Sequence, residues 1–152
     1  MSRQKQIGTR YETRCRNMWA DRTGDQRIER RVLHGNRDMG DLYGFVTHGY
    51  KGIAECKDYR KYSPADLERW KGESLDEREN ADADFVMLMV NEPGVGEKRF
   101  WDGDSVYMTV RDLFRVSGLD ALPPKFPNAL DEWVRVTQET AYRLYMGEEP
   151  TE

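Results

Sequence analysis

Asp41 and the triplet Glu55-Cys56-Lys57 are the residues of this chain whose types and spacing best suit chemistry. Side chains alternate between faces along a β-strand, so Glu55 and Lys57 share one face and Cys56 takes the other. Asp41 stands 14 residues upstream of Glu55, at the mouth of the preceding hydrophobic segment. It meets the triplet across the ladder if the two segments pair as a hairpin. Two carboxylates and one ammonium converging at a sheet edge can hold a divalent metal and activate a water, which is equipment for hydrolysing a phosphodiester. An E-x-K triplet by itself is also the pattern of a salt bridge on a wet strand face. Three features favour a site. Asp41 follows Gly40 in a position open to ligand. Glu55 lies beside Ile53 and Ala54, where a charge needs a partner or a metal. Glu12 follows an inward-facing Tyr11 on an N-terminal helical stripe, from which it overlooks the sheet edge.

The elements that must position these residues are legible from periodicity. Ile7, Tyr11, Cys15, Met18 and Trp19 recur at helical spacing and predict a helix from near Lys5 to Arg22. Arg27 to Leu33 reads as a strand, His34 to Gly40 as a loop, and Asp41 to Thr47 and Tyr50 to Lys57 as a hairpin turning on His48-Gly49. Ser63-Pro64 starts a second helix that runs to about Asn80, with Leu67, Trp70 and Leu75 inward. Asp84 to Val90 is continuously apolar after its first residue, as a strand buried on both faces would be. Beyond it, Arg99–Trp101 and Ser105–Met108 read as short strands, Thr109 caps a short helix ended by Gly118, and Asn128 to Tyr145 reads as a last helix. The order helix, three strands, helix, strand predicts an α/β chain of the α+β type. It has a mixed sheet in an αβββαβ core over about 5–90 and a C-terminal helical addition over 91–152, all in one domain.

Composition narrows the partners. The chain has 152 residues and a net charge of −4, yet residues 1–37 carry ten Lys/Arg against four acids, leaving −10 for the rest. Such asymmetry suits one basic face for phosphates, or a solvated helix of salt-bridged arginines. No apolar run approaches the roughly 18 residues that a membrane span needs. The N-terminus leads into a charged amphipathic segment rather than an apolar signal core. The expectation is a cytoplasmic protein without a membrane partner. Its two cysteines, Cys15 and Cys56, are read as reduced thiols.

Gly8-Thr9-Arg10-Tyr11-Glu12, the basic first strand, His34-Gly35, Gly40-Asp41-Leu42 and Ala54-Glu55-Cys56-Lys57 together resemble the PD-(D/E)xK nuclease superfamily. Within it they are most similar to the archaeal-type Holliday junction resolvases, including those carried by phages. The resemblance covers roughly residues 5–90 and implies a restriction-endonuclease-like core. It implies magnesium, with manganese able to substitute, on Asp41, Glu55 and the backbone carbonyl of Cys56, with Glu12 completing the set. Lys57 would orient or help deprotonate the attacking water. Arg10 would contact a DNA phosphate. Arg30 and Arg31 (on alternate faces of the first strand), Arg37 and Lys61 would extend the DNA track. His34 would contact DNA, assist proton transfer, or close a local hydrogen bond at the strand end. Gly40 departs from the family, which carries proline before the aspartate. The activity implied is magnesium-dependent resolution of four-way DNA junctions by a homodimer, with Met87, Met89, Phe100, Trp101 and the last helix as interface residues or simply as core. The alternatives are another endonuclease or nickase of the superfamily, for repair or restriction, and a non-catalytic DNA-binding protein on the same fold.

Overall fold

Tyr11, Cys15 and Trp19 recur every four positions, and all three are fully buried. In the computed structural model, which describes residues 3–32, 38–119 and 127–148, they lie on helix α1 (Arg3–Thr23). Strand β1 is only Glu29–Arg30. It is shorter than the predicted Arg27–Leu33, because the side chain of Asp25 accepts from the backbone and the guanidinium of Arg27 and folds that end into a turn. Strands β2 (Leu42–Thr47) and β3 (Tyr50–Lys57) form the predicted hairpin. Its turn residues His48 and Gly49 both take positive φ, the type I′ geometry that matches strand twist.

Ser63 caps α2 (Pro64–Asn80) through a reciprocal pair: its hydroxyl accepts the Asp66 N–H, and the Asp66 carboxylate accepts the Ser63 N–H. β4 (Phe85–Val90) is buried at every residue, as its unbroken apolar sequence requires. These elements follow the predicted order.

After Val90, β5 (Ser105–Thr109) and α4 (Val110–Ser117), capped by Thr109 and ended at Gly118, follow the expected strand and helix, while α3 (Phe100–Gly103), β6 (Trp133–Thr137) and α5 (Gln138–Met146) depart from the expected form. Arg99–Trp101 is helical rather than extended. The segment read as one helix from Asn128 divides in two: Trp133–Thr137 pairs antiparallel with β5, and Thr137 then caps α5 by accepting the Thr140 N–H. The open edge of β5 offers a ladder that the β-branched Val134 and Val136 fill better than a helix would. The result is one six-stranded mixed sheet in sequence order. Only β3 and β4 run parallel, and α2 makes the connection between them.

α1, α3 and α5 cover one face. There Trp19 packs edge-on against Phe45, Trp101, Tyr142 and Tyr145 and donates its Nε1–H to Gln138. α2 covers the other face over a smaller cluster of Trp70, Leu88 and Val90. Met87, Met89, Phe100 and Trp101 belong to the first core, between 0 and 7% exposed, so these four are core residues of the single chain. Both cysteines are free and buried.

Leu42 pairs with Ala54 but Phe45 with Gly52, so β2 carries one extra residue, a bulge, where Gly44 takes φ +89°. A Cβ there would stand 2.0 Å from the carbonyl oxygen of Arg27, so the bulge and the close approach of the chain leading into β1 both require glycine. Gly44→Ala is expected to destabilise the fold by on the order of 3 kcal/mol, combining left-handed strain with a backbone clash. Urea denaturation checks it; a loss under about 1 kcal/mol would mean that β1 yields freely.

Candidate metal centre

The alternation of β3 divides its work. Ala54 and Cys56 face the α1 core, while Glu55 and Lys57 face α2. Leu42 pairs with Ala54, and Asp41, the residue just before β2, lies beside Glu55. The Asp41 N–H donates to the Ala54 carbonyl at 2.9 Å, and its Oδ2 accepts the Cys56 N–H at 2.8 Å. The main-chain groups of Cys56 point to the same side as those of Ala54, two residues earlier, so its carbonyl also faces Asp41. Two neighbouring carboxylates repel unless a cation or a proton lies between them.

α2 supplies the roof. Lys57 Nζ lies 3.6 Å from Glu73 and 5.8 Å from the Trp70 ring centre, and Glu77, one turn beyond Glu73, comes over Glu55. The spacing matches, since two strand residues advance about 6.6 Å and four helix residues about 6 Å. Arg78, next to Glu77, is bonded to the buried Asp112 of α4 at 3.0 Å and fixes the end of the helix. Asp38 joins from the segment before β2. Its backbone carbonyl accepts from the Asn80 side chain, and donor oxygens of Asp38, Glu55 and Glu77 lie within 4.8 Å of one another. Glu12 of α1 reaches the far side of Asp41 and pairs with Arg30 at 3.0 Å. Behind it the buried Tyr11 hydroxyl donates to Asp104, anchoring that turn of the helix.

Five carboxylates therefore share one cleft of about 630 Å³ or its buried floor. Burial first, and the neighbouring Asp41 charge second, push Glu12 up to about 7, although Arg30 opposes this. Burial likewise pushes Glu77 up to about 7, with the charges of Asp38 and Asp41 adding to it. Glu55 is raised well above the usual carboxylate range by burial and by its contacts with Asp41 and Glu77. Burial alone would lower the Lys57 ammonium, but the charges of Glu55, Glu73 and Asp41 outweigh it and hold the group above its ordinary value. Without metal such a cluster retains protons; hard oxygen donors of this kind suit Mg²⁺, Mn²⁺ or Ca²⁺.

Glu12, Asp41, Glu55 and Lys57 are thus brought together. Arg30 and Arg31 both line the cleft. Arg31 lies over the Tyr43 ring at 4.7 Å, and its Nε–H is buried without a partner among the described residues. Arg10 is not brought in. It sits two positions from Glu12, about 200° round the helix, and lines a separate depression with Arg14 and Glu97. Lys61 is exposed and outside the cleft lining, and His34 and Arg37 lie outside the described residues. Asp38 and Glu77 escaped the sequence reading. For Glu77 a signal existed: Trp70, Ser74 and Glu77 fall at i, i+4, i+7, a buried stripe that ends in an acid. Among the described residues no helix is long and apolar enough to cross a membrane. Compared with known proteins, the chain matches no family model, no curated protein and no solved structure.

Proposed function

We propose that the chain is a divalent-metal-dependent DNA endonuclease of the PD-(D/E)xK kind and that four-way junctions are its substrate. One observation carries the reading: Asp41 lies beside Glu55 and accepts the Cys56 N–H, with Lys57 on the Glu55 face of β3. The donor set fits magnesium. It is all hard oxygen, and Glu55 Oε2 is buried with no hydrogen-bond partner among the described residues. Asp41, Glu55 and the Cys56 carbonyl would hold the ion, with Glu12 at its side. A bound ion supplies a lowered pKa for a coordinated water and charge for the transition state.

The chain's own residues do the rest. Lys57, restrained by Glu73 and Trp70, holds a compact positive charge where the phosphate oxygens would lie. Lys5, Arg30 and Arg31 form a basic rim for the flanking backbone. The order α1-β1-β2-β3-α2-β4, with β3 and β4 parallel, supports a restriction-endonuclease-like core.

A homodimer would supply two such sites for paired cuts. The burial of Met87, Met89, Phe100 and Trp101 within one copy instead favours a second reading, a nickase or repair endonuclease acting through one site. Incubating the protein with a four-way junction and with linear duplex, in magnesium or in chelator, separates these. Paired symmetric nicks on the junction alone are expected. A single nick selects the second reading, and preference for linear duplex sinks the junction assignment. Binding without cutting in either magnesium or manganese points to a non-catalytic DNA-binding role.

A further inference from the structure

Building on the metal-dependent reading, we infer that a second divalent cation is seated between Asp38, Glu55 and Glu77, with Glu55 shared between the two ions. The three donor oxygens lie within 4.8 Å of one another, close enough to surround one ion with small side-chain rotations. Glu55 and Glu77 are only 4 and 3% exposed, and the Oε2 atom of each is buried without a hydrogen-bond partner. Two orphaned carboxylate oxygens in a protein interior are costly unless a cation or retained protons complete them. No lysine or arginine does so. Among the described residues none forms an ion pair with any of the three, and Lys57 is paired with Glu73 instead.

Two further observations separate this seat from the first. Asp41 is turned to the β2 edge, where its carboxylate is tied to the Cys56 N–H and neighbours Glu12, outside the group of three. The basic side chains of the cleft, Lys5, Arg30 and Arg31, line its rim, whereas the group of three has only carboxylates. Asp38 is exposed and gives the buried pair an opening to solvent, which suits an ion that keeps part of its water.

Manganese titration of the full chain without DNA, followed by the EPR signal of free Mn²⁺, tests the seat. Wild type is expected to bind two ions, and Glu77→Gln, Asp38→Asn and Asp41→Asn one each. One ion on wild type, or two retained by both Glu77→Gln and Asp38→Asn, overturns the inference. Should Glu77→Gln fail to fold, the exposed Asp38→Asn carries the test. The outcome is separable from the nuclease reading. Two ions on a chain that cuts no DNA leaves the seat standing and sinks the nuclease, while cutting with a single ion does the reverse.

Discussion

Asp41→Asn is expected to lower the rate of DNA cleavage by about a thousandfold or more while leaving the fold intact. The scale is that of losing a preorganised group that stabilises charge at the reacting centre. Asparagine keeps the shape of the side chain, and its oxygen can still accept the Cys56 N–H that Asp41 Oδ2 accepts at 2.8 Å. The substitution removes the anion beside Glu55, so the metal-free protein should melt no earlier than wild type. Single-turnover cleavage in magnesium, with thermal melting in chelator beside it, measures both. An Asn variant within tenfold of wild type would exclude Asp41 from the chemistry. Arg10→Ala is the contrast. Arg10 lies round the helix from the cleft, so its loss should leave the rate near wild type.

The second large effect is on stability. Metal-free protein is expected to lose stability as pH rises from about 5 to about 8, with a thermal midpoint lower by about 5 °C or more at the upper end. Glu12 and Glu77 are pushed up to about 7 in the folded chain against 4.5 for the free side chain, and burial raises Glu55 as well. Between those values the folded state binds protons that the unfolded state has released, so stability falls as pH rises through the window. It is fully present below the unfolded value and lost above the folded one. Asp104, raised to about 6 chiefly by burial, adds a smaller contribution that no metal should relieve. A loss on the order of 2 kcal/mol corresponds to a shift of this size in a chain of this length. Millimolar magnesium or manganese should restore the midpoint at pH 8, since cations replace the protons. Glu77→Gln should flatten the pH profile and stabilise the metal-free protein at pH 8. A midpoint independent of pH across this window would refute the coupled-carboxylate picture.

Much of this centre could be read from the chain because strands carry a strict two-residue rule. Glu55 and Lys57 had to share a face, and the His48-Gly49 turn set the hairpin; its register alone would put Asp41 against Cys56, and the bulge at Gly44, which the sequence does not announce, moves it toward Glu55. Helices are less forgiving of reasoning by proximity. Arg10 belongs to the same short motif as Glu12, yet 3.6 residues per turn send the two to different sides. Glu77 was hidden by its type: a glutamate on α2 reads as surface, and only the stripe it shares with Trp70 and Ser74 marks it as inward. Asp38 lies in a segment without periodicity, and its place depends on Asn80, far along the chain. The division at Trp133–Thr137 was invisible for another reason. Leu130, Trp133, Val134, Thr137 and Ala141 satisfy a helical period, and only the free edge of β5 decides for a strand.

The split of β3 into a core face and a charged face also guards the hairpin against misfolding. A one-residue slip of β3 against its neighbours would turn every side chain over. Glu55 and Lys57 would then enter the layer of Tyr11, Cys15 and Trp19, while Ala54 and Cys56 would leave it. Two charges in that apolar layer, without the carboxylates and the tryptophan that now surround them, would make the slipped pairing far less stable than the native one. The residues proposed to cut DNA are thus the same ones that penalise a wrong register, and a variant that neutralises both would loosen the specificity of folding along with the chemistry.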